Sequence, residues 1–364
     1  MKQVNSFTEW APLEEVIVGD VRGSIFPYYE PFFYGCMPEK FGEQFKLHKK
    51  YIRTQIGKIK SGKGLHRKLI ELAQEQLDGL ANTLTKIGVT VRRPKIATEL
   101  NLKNEIITPT WKIKSACYYG NPRDVLAIIG DTILDAPMGC RARSFEYLIY
   151  KDLCLEYFKN GAKWIACPKP ALRDEMFHDE FNPNSKHEFV TKNIEPIFDA
   201  ATIVKFGKDL VVARDTGCNE LGIEWIRRQF PDYIVHVLET EDPRPLHLDT
   251  TFIPLCQGKI MVNTDYCKKI PDALKHWEIK PIPEFTPKDD IVYALASPKL
   301  AANVLSLDGK RILVEESEKN LMDFLSDWGF EPIPIPFRYH FLFGGGLHCA
   351  TLDVRRKDHF KSYL

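Results

Sequence analysis

The sequence is short of the features that mark a membrane, secreted or nucleic-acid-binding chain. Its longest apolar runs, such as residues 125–129, are far too short for a bilayer core of about 30 Å. The opening MKQVNSFTEW has no apolar stretch of the kind a secretory signal needs. Neither sign of charge is in surplus: 50 Lys and Arg stand against 49 Asp and Glu, a formal net charge of +1. Polyanions and anionic lipid surfaces call for a basic excess, so neither nucleic acid nor a membrane is an expected partner. One basic stretch, residues 46–67, is interleaved with Gly and His and reads as a solvated segment. The nine cysteines are odd in number and none is spaced CxxC or CxxH, which argues against a disulfide framework or a zinc knuckle. A reducing compartment, the cytoplasm, is expected.

What the 364 residues do contain is a repeated arrangement of short apolar runs. Residues 199–215, DAATIVKFGKDLVVARD, are two such runs around a Gly207-Lys208 turn. Residues 249–265, DTTFIPLCQGKIMVNTD, follow the same plan around Gly258-Lys259, and residues 303–315, NVLSLDGKRILVE, around Asp308-Gly309. Residues 117–131, CYYGNPRDVLAIIGD, place a turn signal at Asn121-Pro122. Helical spacing follows: Ile223, Ile226 and Phe230; Ala273, Leu274 and Trp277; Leu321, Phe324, Leu325 and Trp328; and a segment over 145–160. Each leads into another short strand. Near the N-terminus, Leu69, Ala73, Leu77, Leu80, Leu84 and Ile87 form a helical stripe before VTVRRP. The unit is strand–strand–helix–strand, five times over. The last hairpin is completed by the two chain ends, PLEEVIVGD and HCATLDVRR, which favours a closed ring over a solenoid. An open mixed α/β sheet fits the same periodicity.

The repeat aligns residues with chemistry. Asp199, Asp249, Asn303 and Cys349 all fall near the start of the first strand of their units, and a ring would turn them toward one axis. His247 lies two residues before Asp249, on the same face by the strand period of two, and Asp124 reaches the cavity from the NPRD hairpin. A thiol, an imidazole and several carboxylates in one cleft describe a nucleophile with its base. Paired carboxylates match a planar guanidinium through forked hydrogen bonds. The same residues also have plainer readings. Cys349 alone is a small buried hydrophobe or, with His247 and Asp249, a metal ligand. His348 is expected to point away, on the opposite strand face, and to be structural. The triplet Gly344-Gly345-Gly346 reads as a loop needing positive φ, or as room for backbone to approach a substrate.

In HLDTTF (247–252), FDAA (198–201), NPRD (121–124) and GGGLHCATLDVRR (344–356) the chain resembles the amidinotransferases. NSFTEWAPLEEVIVG, DAPMGCRARSFEY, GAKWIACPKP and LGIEWIRR extend the likeness over nearly the whole chain. The resemblance implies a five-bladed, pseudo-symmetric α/β-propeller of the pentein type, forming a single catalytic domain over 1–364. It also implies transfer of an amidino group from L-arginine to an amine, with ornithine released, in a homodimer without metal or organic cofactor. By the matching motifs Cys349 is the nucleophile, His247 the general acid and base, and Asp199 its orienting carboxylate. Asp124 and Asp249 grip the guanidinium, and Ser297 contacts substrate. Where glycine-using members carry an arginine for the donor carboxylate, this chain has Tyr266; Arg244 or Lys268 is expected to take over, or backbone donors to hold the carboxylate. Arg244 and Leu246 also replace the Asn and Met that precede the histidine in those members, which points to an acceptor other than glycine. The competing readings are a guanidine-modifying hydrolase of the same fold and a non-catalytic binding propeller.

Overall fold

The computed structural model describes residues 3–24, 30–36, 67–100, 104–114, 116–178, 189–242, 246–287 and 296–364. Most of the basic stretch and Arg244 lie outside the described residues.

Among the described residues, five three-stranded sheets share one plan, in which an antiparallel hairpin carries a third strand parallel to its second. In chain order the hairpins are Leu126–Ile129 with Thr132–Asp135, Ile203–Phe206 with Asp209–Ala213, Phe252–Cys256 with Lys259–Val262, and Leu305–Ser306 with Arg311–Glu315. Their parallel partners are Lys163–Ala166, Ile234–Leu238, Glu278–Pro281 and Glu331–Ile335. The fifth sheet joins the chain ends, as the repeat required: Thr351–Arg356 runs antiparallel to Leu13–Val18, which pairs with Thr90–Arg92. A further two-stranded pair, Ile106–Ile107 with Lys112–Ile113, stands outside this scheme.

A helix connects the hairpin to the third strand because its apolar stripe covers the sheet. Arg67–Lys86 buries Leu69, Ala73, Leu77, Leu80 and Leu84, the stripe read from the sequence. Glu220–Gln229 buries Ile223 and Ile226 and is capped by Asn219, whose side chain accepts from the N–H of Gly222 at 2.8 Å. Lys151–Lys159 and Lys319–Asp327 occupy the same place in two other units. The helix expected around Ala273 is only a 3-10 turn, Asp272–Leu274. Pro271 and the strand beginning at Glu278 leave too few residues between them for two turns.

Neighbouring sheets share cores. Leu134, Leu210 and Leu352 belong to one cluster, Phe206 and Ile260 to a second, Ile253 and Val314 to a third, and Leu313 and Val16 to a fourth. The N-terminal strand segment crosses this assembly: Ser6 bridges to Gly130 and Thr8 to Phe206. Trp10 stacks edgewise on Phe206, Trp277 and Tyr363. Glu9 is thereby carried into the interior.

One hairpin differs from its sequence reading. Asn121-Pro122 is not its turn; Pro122–Val125 is a single helical turn that precedes the first strand, and the hairpin turns at Gly130, φ 61°. Proline is pre-organised for the first position of a helix and has no N–H to lose there. Asp124 therefore stands ahead of a first strand, like Asp199, Asp249, Asn303 and Cys349 in the other four units. Among the described residues no helix is long and apolar enough to cross a membrane.

Candidate active site

The five residues that precede the five first strands are all buried. Ligand atoms of Asp124, His247 and Cys349 lie within 4.8 Å of one another. The Cys349 thiol donates to Oδ2 of Asp249 at 3.3 Å, and the backbone N–H of Cys349 donates to Oδ1 of Asn303 at 2.9 Å. The Asn303 amide in turn donates to the carbonyl of Asp249 at 3.1 Å, tying the two loops together.

His247 is held on three sides. Its Nε2 meets Oδ2 of Asp199 at 3.0 Å, and its Nδ1 lies 3.5 Å from Oδ1 of Asp124, a charge contact too long for a good hydrogen bond. Its backbone has φ 61°, an uncommon conformation for a residue with a side chain. Asp215, which sequence reasoning did not single out, holds that backbone by accepting from the His247 N–H at 3.0 Å. Burial, the largest influence on Asp215, raises its pKa to about 7.

The electrostatics set the resting state. Burial pushes the His247 pKa down, but Asp124, Asp199 and Asp249 together outweigh it and raise the ring to about 9. His247 is thus a cation near neutral pH. Burial lifts the Cys349 thiol well above its ordinary range, and the charges of Asp249 and Asp124 add to that. Cys349 is therefore held as the protonated thiol. Burial works against the Asp249 carboxylate, yet its bond and attraction to His348 and the charge of His247 bring it down to about 2. Asp124 moves the other way: burial raises it despite His247 and Arg143.

Oδ1 of Asp124 and Oδ1 of Asp249 are buried acceptors without a hydrogen-bond donor. Leaving such an atom unpaired costs about 1–3 kcal/mol, and more when charged. Two of them beside one thiol mark where a cationic ligand with several N–H groups fits. The spacing of Asp124, His247 and Cys349 also suits a metal ion.

His348 was expected to turn away by strand alternation. Instead its Nδ1 bonds Oδ2 of Asp249 at 2.7 Å. Residues 347–350 form a turn and the strand begins only at Thr351, so the two-residue period does not reach His348. The glycines serve this turn as well. A Cβ on Gly345 would sit 2.3 Å from Oδ1 of Asn121, and one on Gly346 would sit 2.6 Å from Cβ of Asn303. They make room for the two asparagines that brace the loop, and Gly344, φ 70°, ends the 3-10 turn Arg338–Phe343. Sequence reasoning did not single out Arg143 and Glu146. Arg143 holds Oδ2 of Asp124 at 2.9 Å and Glu146 at 2.6 Å, the latter at a three-residue spacing a helical reading can detect.

The residues expected to contact substrate are less central. Leu246 is half-buried against the cluster of Phe32, Cys140 and Ile197, with its Cδ1 next to Gly217. Ser297 is exposed at the start of the 3-10 turn Pro298–Ala302, which ends at Asn303. Lys268 pairs with Asp265 at 3.8 Å on the surface. The Lys299 ammonium instead stands 4.6 Å from the Tyr266 ring centre and is ion-paired with Asp242.

No family model matches the chain. It is 36% identical over 368 residues to the L-arginine:L-lysine amidinotransferase of Pseudomonas savastanoi pv. phaseolicola, covering 99% of this chain and 96% of that protein. It is 34% identical to the mitochondrial glycine amidinotransferase of Gallus gallus, covering 99% and 85%. Among solved structures, the amidinotransferase of the saxitoxin biosynthetic pathway from Microseira wollei superposes with a TM-score of 0.88 at 37% identity, covering 100% of both chains. The inosamine-phosphate amidinotransferase of Streptomyces griseus gives 0.82 at 32%, covering 100% and 99%. A dimethylarginine dimethylaminohydrolase, at 0.55 and 12% over 93% of this chain, shares the fold alone. The fold is that of the penteins, and the chain belongs to the amidinotransferase family.

Proposed function

We propose that this enzyme moves the amidino group of L-arginine to a primary amine through an amidino-cysteine intermediate and releases L-ornithine. The observation that carries the reading is the pair of donor-less carboxylate oxygens on Asp124 and Asp249 beside the Cys349 thiol. A guanidinium laid between them supplies the missing N–H donors and cancels the negative charge that holds the thiol protonated. As the cation binds, the thiol releases its proton to solvent, and Cys349 attacks the guanidino carbon as thiolate, forming the carbon–sulfur bond. The bond from that carbon to the ornithine nitrogen breaks, and His247, cationic and oriented by Asp199, delivers the proton to the departing amine. The acceptor enters in its place, gives a proton back to His247 and attacks the amidino carbon; the carbon–sulfur bond breaks and the thiolate returns. No step calls on a metal.

The amino-acid end of the donor needs a cation for its carboxylate and an anion for its ammonium. Lys299, paired with Asp242, offers both on a turn that packs against the Leu248–Thr250 turn beside His247. Lys299, rather than Arg244 or Lys268, is our candidate for that contact. Lysine is the acceptor we favour, because a relative at 36% identity bears that substrate in its name.

The five sheets with their cyclic sharing of cores support a closed five-bladed propeller, and we infer one catalytic unit over residues 1–364. We also expect a homodimer in the cytoplasm, where nine free cysteines suit a reducing environment.

The test is arginine labelled in the guanidino carbon, incubated with a panel of lysine, glycine, inosamine phosphates and polyketide amines. Ornithine formed in step with a labelled guanidino product is expected. Citrulline, or labelled urea in place of an amidinated amine, would overturn the transferase reading in favour of a hydrolase.

A further inference from the structure

Each of the two carboxylates beside the thiol is hydrogen-bonded at one oxygen and lacks a hydrogen-bond donor at the other. Oδ2 of Asp124 accepts from Nη1 of Arg143 at 2.9 Å. Oδ2 of Asp249 accepts from Nδ1 of His348 at 2.7 Å and from the thiol at 3.3 Å. A carboxylate can turn about its last torsion, which is broad and nearly two-fold. Something must therefore decide which oxygen meets the ligand and at what angle. For Asp124 a buried guanidinium does so, and for Asp249 an imidazole.

That imidazole is itself immobilised from beneath. Nε2 of His348 faces Oε2 of Glu9 at 3.3 Å. Glu9 Oε2 meets Nη1 of Arg123 at 3.3 Å, while Oε1 accepts from the Lys205 backbone N–H at 3.1 Å and lies 3.7 Å from Nζ of Lys205. Nε of Arg123 donates to the carbonyls of His348 and Thr351, both at 2.9 Å, on either side of Cys349. Its Nη2 pairs with Asp353, which Arg356 also holds. Glu9, Arg123, Lys205, Asp353 and Arg356 come from the N-terminal segment, the Pro122–Val125 turn and two different sheets, and all are buried. Rotating the His348 ring would break a buried charge network. A cavity of about 10 Å³, lined in part by Glu9, Asp249, Ser306 and His348, adjoins the ring and has room for one water at most.

We propose that His348, braced by Glu9, is a positioning residue that aims the free oxygen of Asp249 at the substrate guanidinium. The network under the nucleophile is then part of the donor site rather than only a core feature. It joins the chain's ninth residue to a carboxylate that must meet a planar, forked ligand within a narrow angle. This inference rests on the assignment of Asp124 and Asp249 to the donor guanidinium.

The experiment is calorimetric binding of L-arginine to the full chain carrying Cys349→Ser, which stops turnover, combined with either His348→Asn or His348→Leu. Asparagine keeps an N–H donor close to the place of Nδ1; leucine keeps the volume and removes the donor. The His348→Leu protein is expected to bind arginine ten- to a hundredfold more weakly, and the His348→Asn protein within threefold of its parent. Thermal melting of each variant separates loss of fold from loss of aim. Equal weakening by both substitutions in folded protein, or no weakening by either, overturns the positioning role while the donor site stands. If the Cys349→Ser parent does not bind arginine at all, the donor site itself is wrong and the role of His348 falls with it.

Discussion

The side-chain oxygen of Asn303 accepts the backbone N–H of Cys349 at 2.9 Å, and its amide donates to the carbonyl of Asp249 at 3.1 Å. One amide thus fixes Cys349 relative to a carboxylate that flanks it. Asn303→Ala removes both bonds and is expected to lower kcat by about 10–100-fold, the usual cost of misplacing a reacting group by an ångström or so. Asn303→Asp keeps the acceptor but adds a charge beside the thiol, so alkylation of Cys349 by iodoacetamide should slow further. Steady-state kinetics and peptide mapping check both.

The raised pKa of His247 gives a pH dependence with a definite sign. Its ordinary value is 6.5 and its value in the folded protein is about 9. Stability from this group is fully present below pH 6.5 and is lost as pH rises through 9. The contribution is at most about 3 kcal/mol at 1.36 kcal/mol per unit. Denaturant unfolding at pH 6 and pH 9.5 should show wild type losing stability over that window, and His247→Asn losing much less. In the same window kcat/KM for arginine should fall as the proton for the leaving amine is lost.

The glycine triplet predicts a contrast. Gly346→Ala forces a methyl to 2.6 Å from Cβ of Asn303 and should cost about 1–3 kcal/mol, with activity reduced through the same asparagine. Gly79→Ala lies in the Arg67–Lys86 helix, exposed, with nothing within 4 Å of the added methyl. It should stabilise the protein by about 0.5–1 kcal/mol and leave activity untouched. Urea melts of the two variants give opposite signs if this account holds.

Lys299→Met tests the amino-acid clamp. Loss of one charged contact to the donor carboxylate should raise KM for arginine by roughly 10–100-fold and change kcat little. Agmatine, which lacks the carboxylate, should be used equally by wild type and variant. An unchanged KM for arginine would put the carboxylate elsewhere.

Short-range chemistry decided much of this molecule from the sequence alone. Turn glycines at 207, 258 and 309 lie at positive φ where hairpins were read, and the stripe from Leu69 to Leu84 faces the core as its spacing required. Both signals depend on residues a few positions apart. The polar residue ahead of each first strand was legible for four units for the same reason. Asp124 was misplaced because Asn-Pro favours a turn and also starts a helix, and only packing chooses between them. His348 was misjudged because strand alternation fails one turn before the strand begins. Glu9 lies 339 residues from the histidine it meets, and Arg123 lies 230 from Asp353. Partners so far apart are selected by how five sheets stack, since burial makes each charge depend on whichever opposite charge the packing supplies. The sequence by itself determined the repeating unit and the residue types at its strand starts; the tertiary structure alone decided which carboxylate oxygens are held and which are left for a ligand.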